Sequence, residues 1–279
     1  MAIQQVTEWA DLALTRPLVM GILNITPDSF SDGGRYFDPD AAITAGRRML
    51  AEGADILDIG GESTRPGALP VSAADEIERV LPVVQTLAAE GAVISLDTRY
   101  AATMEAGLNV GARIINDISA LTHDPDSLPL VAARNCPVIL MHMRGTPQTM
   151  NDRASYRDVA TEVVTELASL CDIAQTAGVK PGNICIDPGF GFAKRGSQNI
   201  ALLQALPRLL KLGYPVLTAL SRKRFLGEIS MEPDAAKRDP ESLAAGLYAI
   251  MQGTHIVRSH DIAGTVRALR VWQRLTEEI

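Results

Sequence analysis

The sequence predicts an α/β protein of the (β/α)8 TIM-barrel class, with a short N-terminal extension. Three observations point there. Eight short runs rich in Val, Ile and Leu recur along the 279 residues, and uninterrupted runs of this kind suit parallel strands covered on both faces. Segments with helical apolar spacing lie between the runs, and strict alternation with eight strands is the barrel pattern. Almost every run also ends in a polar residue capable of chemistry, as expected where one site is assembled from the ends of many strands. An open, doubly wound sheet is the structural rival for the same alternation.

Residues 1–17 read as the extension. They carry Glu8 and Asp11 and lack the basic end and apolar stretch of a secretory signal. Strands are expected at 18–23, 55–59, 93–96, 113–116, 138–141, 183–186, 215–219 and 255–258. The first three helices, 40–52, 73–89 and 101–109, stop near Gly53, Gly91 and Gly111, because glycine enters the left-handed conformation that ends a helix. Further helices are expected at 127–134, 156–177, 199–212, 240–252 and 264–277, with a short one starting within 221–224. Nothing resembles a linker, so residues 18–279 form one barrel domain. Two strand-to-helix connections, 24–38 and 60–72, are long: roughly 13–15 residues each against the usual two to six. Both leave the same end of the barrel, where long loops are binding loops or lids, or else decorative insertions.

Composition narrows the function. Apolar residues make up 47% of the chain, enough for a large core. The net charge is −7 with no basic run, so neither nucleic acid nor an anionic membrane is an expected partner. No apolar stretch reaches the ~18 residues of a membrane span. Cys136, Cys171 and Cys185 have no paired spacing and read as reduced thiols of a cytoplasmic protein. Any anionic ligand must be met by a few local cations.

Those cations sit at the run ends. Arg65, Arg222, Lys223 and Arg258 lie at or just past strands, with His260 nearby, and suit an anionic substrate unless they are solvated surface charge. Ser221 stands at the start of the short helix. Asp97, Asn116 and Asp187 each close an apolar run, either as helix caps or as partners of one ligand. Two carboxylates and an amide would suit a flat heterocycle bearing several N–H donors, such as a pterin or a purine. The four histidines lack zinc spacing, and His142, within Met-His-Met, reads as packing. Magnesium asks less of the protein, since it keeps waters and takes phosphate oxygens, so the neutral oxygen of Asn24 could suffice. Gly189-Phe190-Gly191 reads as a tight loop, with Phe192 either covering an aromatic ring or packing in the core. Serine-nucleophile, Walker and dinucleotide motifs are missing from the sequence.

Several stretches, taken together, resemble the dihydropteroate synthase family, pterin-binding barrel enzymes of folate biosynthesis. They are Gly21 to Gly34, Asp58 to Gly67, Asp97-Thr98, Asn116-Asp117-Ile118, Met141 to Gly145, Asp187 to Phe192, Ser221-Arg222-Lys223 and Arg258 to Asp261, in the family's order. The resemblance implies a transferase that condenses 6-hydroxymethyl-7,8-dihydropterin diphosphate with 4-aminobenzoate and releases diphosphate, by a dissociative displacement. It implies that Asp97, Asn116, Asp187 and Lys223 hold the pterin and that Asn24 binds Mg2+. It implies further that Thr64, Arg65, Arg258 and His260 meet the diphosphate, and that Ser221 receives the aminobenzoate carboxylate with Arg65, Pro66 and Phe192 near its ring. On this reading Lys223, Asp97 and Arg258 are catalytic, the enzyme is a sulfonamide target, and it is a homodimer whose contact could involve Tyr248 and Trp272.

Three positions depart from the family pattern. Ala219 and Ala193 stand where glycines are frequent, and Ser259 replaces a hydrophobic residue. A methyl group at 219 could narrow the ring pocket. A corrinoid-linked pterin methyltransferase could share the Asp, Asn and Asp contacts, but it has less reason to keep Thr64-Arg65, Ser221-Arg222-Lys223 and Arg258. A non-catalytic pterin-binding relative would have been favoured by loss of Asn24, Lys223 or the long loops. A Schiff-base aldolase is disfavoured because Lys223 lies beyond its strand between two arginines.

Overall fold

The computed structural model describes residues 6–26, 38–63 and 70–276. Strands β1 (Glu8–Trp9) and β2 (Leu12–Ala13) form a small antiparallel hairpin. Eight more follow: β3 (Leu18–Asn24), β4 (Ile56–Gly60), β5 (Ile94–Asp97), β6 (Ile114–Asp117), β7 (Val138–Met141), β8 (Ile184–Asp187), β9 (Leu217–Thr218) and β10 (Ile256–Ser259). They form one sheet in the order β8-β7-β6-β5-β4-β3-β10-β9, every neighbouring pair parallel. A parallel bridge between Ile186 and Val216 joins the two remaining edges and closes the barrel, which decides against the open sheet.

The helices are α1 (Pro39–Glu52), α2 (Ala73–Ala89), α3 (Ala101–Asn109), α4 (Ser127–Arg134), α5 (Val159–Thr176), α6 (Gly196–Gln204), α7 (Leu206–Leu210), α8 (Arg224–Ser230), α9 (Asp239–Met251) and α10 (Ile262–Thr276). Two differ from the sequence expectation. The helix expected over 199–212 starts earlier and breaks at Ala205, because Pro207 has no N–H to continue the ladder. The helix expected from 156 begins at Val159, where the Asp158 carboxylate accepts the free N–H groups of Ala160 and Thr161. Tyr156 instead lies beneath the Arg144 guanidinium, 4.0 Å from its ring centre.

Most strands reach one residue past the apolar runs. The polar tips belong to the ladder itself: Asn24 pairs with Gly60, Gly60 with Asp97, and Asp97 with Asn116. Side chains alternate across a strand, and here the alternation sorts residues into two cores. Val19, Leu57, Ile59, Ile115, Leu140, Ile186 and Val257 pack outward into the layer beneath the helices. Leu18, Met20, Ile56, Ile114, Ile139, Cys185, Leu217, Ala219 and Ile256 fill the barrel interior. Trp9, 2% exposed, joins the interior cluster from the β1–β2 hairpin and donates its indole N–H to the Asn183 carbonyl at 3.0 Å. The extension thus stoppers one end of the barrel.

Candidate active site

The interior alternation carries on to the other end. Two residues past Ile56 comes Asp58; past Ile114, Asn116; past Cys185, Asp187; past Ala219, Ser221; and past Ile256, Arg258. Each stands in register with the inward face of its own strand. Asn24, Gly60 and Asp97 complete that face, paired in series from Asn24 to Gly60 to Asp97 and so to Asn116. The polar groups therefore converge because of strand periodicity.

Asp58, fully buried, ties one side together. It accepts Arg258 Nε at 2.5 Å and the Asn116 amide at 3.2 and 3.1 Å. Arg258 Nη2 reaches Asp97 at 2.9 Å. Two carboxylates thus share one guanidinium. An arginine has five N–H donors, so two are used here and the rest remain for a ligand. Burial and the charge of Asp58 raise the Asp97 carboxyl above the usual range, and Arg258 opposes them. The sequence reading missed Asp58 because it lies inside an apolar run and not at its tip; counting two residues on from Ile56 would have found it.

On the opposite side stand Asp187, Phe192 and Lys223. Asp187 accepts the Gly189 N–H at 2.7 Å. Its carboxyl is raised by burial, against Gly189 and Lys223. Lys223 Nζ lies 4.5 Å above the centre of the Phe192 ring. Burial pulls its ammonium down to about 8, with Asp187 resisting and Arg258 adding to the fall. The turn here needs glycine: at Gly189, with φ +68, a Cβ would lie 2.1 Å from the His142 carbonyl oxygen.

Ser221 and His260 form a third group. Ser221 Oγ accepts the His260 backbone N–H at 3.1 Å and lies 2.9 Å from Nδ1 of the same residue. Burial and the cations Arg258, Arg222 and Lys223 push the imidazole down to about 3, so it is neutral near pH 7. Arg222 is turned away, with its guanidinium bidentate on Asp239 at 2.7 and 2.9 Å. It belongs to the wall, not to the mouth.

Asn24 ends β3, half-buried, beside Gly60. Thr64, Arg65 and Pro66 lie outside the described residues, as do most of the two long loops. Among the described residues no group of three His, Cys, Asp or Glu could hold a metal ion. A hard cation that brings its own waters and phosphate ligands is the kind that a lone amide oxygen fits.

The three departures also find places. Ala219 packs in the barrel interior with Leu217 and Ile256. Ala193 adopts φ +49 and is fully buried. Ser259 points to the helix layer, its hydroxyl 3.0 Å from that of Thr265. His142 sits one position out of phase with Ile139 and Met141, so it too faces the helices. It is 1% exposed and meets Glu166 of α5 at 2.9 Å, so it stands behind the wall of the site and not in its mouth.

Comparison with known proteins agrees with this geometry. Residues 20–260 match the family model described as pterin binding enzyme. The dihydropteroate synthase of Mycobacterium leprae is 46% identical over 266 residues, covering 93% of this chain and 94% of the relative. The Xanthomonas albilineans dihydropteroate synthase solved with 4-aminobenzoic acid superposes with a TM-score of 0.91 at 46% identity, covering 96% of each chain. A structure of the Xanthomonas enzyme in complex with 7,8-dihydropteroate gives 0.88 at 43%, covering 96% of this chain and 97% of that one.

Proposed function

The chain belongs to the pterin-binding enzyme family, among its dihydropteroate synthases, and on that premise we propose how its site performs the reaction. The reaction is a group transfer in folate biosynthesis: the methylene carbon of a dihydropterin methyl diphosphate passes to the amine of 4-aminobenzoate, giving 7,8-dihydropteroate and diphosphate. One C–O bond breaks, one C–N bond forms, and the amine gives up a proton.

The observation that carries the assignment is the inward-facing set Asp58, Asp97, Asn116, Asp187 and Arg258, with Lys223 reaching in from beyond β9. Asp97, Asn116 and Asp187 offer acceptors to the N–H edge of the pterin, and Lys223 offers donors to its carbonyl. The dihydropterin can carry positive charge as the leaving group departs, and that charge favours the ionised form of Asp97, whose carboxyl burial and Asp58 otherwise hold above the usual range. We therefore assign a dissociative displacement, in which electrostatic stabilisation of the separating charges does most of the work. Arg258 meets the diphosphate through its unused donors, together with Thr64 and Arg65 of the second long loop. Magnesium, when bound through Asn24 and the diphosphate, would neutralise charge on the leaving group.

The aminobenzoate takes the space by Phe192 and Pro66, its carboxylate at Ser221. That hydroxyl is free to donate only when His260 carries its proton on Nδ1 and gives it to Oγ. A diphosphate at Nε2 calls for a second proton on His260, and the anion's own charge raises affinity for it. The arylamine is already neutral near pH 7 and needs no activating base. We also propose a homodimer: Tyr248 and Met251 of α9 and Val271 and Leu275 of α10 expose apolar surface, while Trp272 packs against the core and is the weaker candidate. A cytoplasmic setting is supported by three buried, unpaired cysteines. No helix among the described residues is long and apolar enough to cross a membrane.

The test is direct. Purified protein, dihydropterin diphosphate, Mg2+ and labelled 4-aminobenzoate should release diphosphate and form labelled product in step. Pterin binding without turnover would favour a binding-only protein and overturn the proposal.

A further inference from the structure

Lys194 has no part in the chemistry so far, yet it is among the most enclosed cations of the chain, 7% exposed. Its Nζ lies 3.0 Å from the Gly189 carbonyl, 3.0 Å from that of Phe192, 3.3 Å from that of His142, and 2.9 Å from His142 Nδ1. An ammonium has three N–H donors, so every one is engaged. The two loop carbonyls belong to the turn between β8 and α6. The same turn gives its Gly189 N–H to Asp187 and sets the Phe192 ring against Lys223. One cation thus stands behind the turn and another in front of it.

The side of Lys194 away from the turn is built to keep it there. A donor at His142 Nδ1 requires that nitrogen to be bare, which puts the imidazole proton on Nε2, facing the Glu166 carboxylate at 2.9 Å. Arg144 in turn holds Glu166 through Nε at 3.1 Å, and also reaches Glu162 at 2.8 Å. Burial brings the Lys194 ammonium down to about 7, the cost of enclosing a charge to fix a loop.

We propose that Lys194 is a positioning residue: by drawing the Gly189 and Phe192 carbonyls onto one ammonium, with His142 and Glu166 as its backing, it holds the Phe192 wall where 4-aminobenzoate binds. This rests on the aminobenzoate site proposed above. Asp187 is fixed by its own strand, so the pterin side depends less on Lys194 than the aminobenzoate side does.

Methionine and glutamine have equal reach, and only glutamine keeps N–H donors. In Lys194→Met the KM for 4-aminobenzoate should rise about tenfold or more, a loss of roughly 1.4 kcal/mol of binding. Both kcat and the Kd for dihydropterin diphosphate should change less than about threefold. Lys194→Gln should fall between Lys194→Met and the wild type. An unchanged KM in Lys194→Met, or equal values for the two variants, would overturn the proposal. If neither folds, Glu166→Ala decides: it removes the backing of His142 from a half-exposed position, and a KM unchanged from wild type there is equally fatal. Amide hydrogen exchange over residues 189–194 needs no turnover. Faster exchange in Lys194→Met, with the strands unaltered, is expected even if the wild type proved inactive. Failure of the reaction and failure of this inference are thereby told apart.

Discussion

Asp58→Asn is the sharpest perturbation of the site, because it keeps the shape of a fully buried side chain while removing its charge and turning one acceptor oxygen into an N–H donor. Asp58 holds Arg258 Nε at 2.5 Å and both contacts from the Asn116 amide. In the variant Arg258 keeps its bond to Asp97 at 2.9 Å, so no buried cation is orphaned. With the amide oxygen left facing Arg258, what is lost is the charge assistance of that bond, about 1.5–3 kcal/mol, together with the contact from Asn116 to the other oxygen. If that bond fixes Arg258 for the departing diphosphate, the loss falls on the transition state. At about 1.4 kcal/mol per factor of ten, kcat/KM should fall roughly 10- to 150-fold. The assay is diphosphate release under kcat/KM conditions, run beside thermal unfolding, where about 2–4 °C is expected for each kcal/mol of stability lost. A value of kcat/KM within twofold of wild type would refute the reasoning, because Asp58 would then be a structural acid with no hold on the reacting groups.

Other outcomes follow from the same geometry. Lys223→Ala and Asp187→Asn should each lower kcat/KM by about a hundredfold or more, as expected where transition-state contacts are lost, while circular dichroism shows the barrel intact. Arg222→Met should keep kcat/KM within about threefold and cost about 1 kcal/mol of stability, since it breaks only a part-exposed pair with Asp239; chemical denaturation with steady-state kinetics separates the two effects. The Lys223 ammonium, pulled down to about 8 from 10.5 by burial, should lose its charge as pH rises, so kcat/KM should fall between pH 7 and 9. The folded state then binds fewer protons at Lys223 than the unfolded chain does, so from pH 8 to 9 this residue adds stability as activity declines. Lys223→Met should flatten its share of both trends. Chelation of Mg2+ should abolish diphosphate release, and added Mg2+ should restore it.

The barrel was legible in the sequence because eight apolar runs and the helices between them follow directly from burial on both strand faces. Most tips were legible too: Asp97, Asn116, Asp187 and Arg258 all lie where the runs stop. Asp58 was hidden because a run read as apolar from Ile56 to Ile59 conceals a carboxylate at its centre, and only period-two counting separates the two faces. The same counting sends His142 outward and Asn116 inward, although both directly follow apolar runs. Arg222 looked equivalent to Lys223 beside it. The left-handed backbone at Arg222, φ +58, and its partner Asp239, 17 residues on, turn it away, and neither is visible in local sequence. Lys194 followed the glycine-rich turn unnoticed because its role depends on carbonyls from two separate strand ends.

The most direct test of the account is a crystal structure of the protein with dihydropterin diphosphate and Mg2+ bound. The account predicts the pterin ring edge against Asp97, Asn116 and Asp187, with Lys223 at the ring carbonyl and Arg258 still held by Asp58 while it contacts the diphosphate. A pterin bound away from those three side chains, or an Arg258 released from Asp58 to reach the diphosphate, would contradict it.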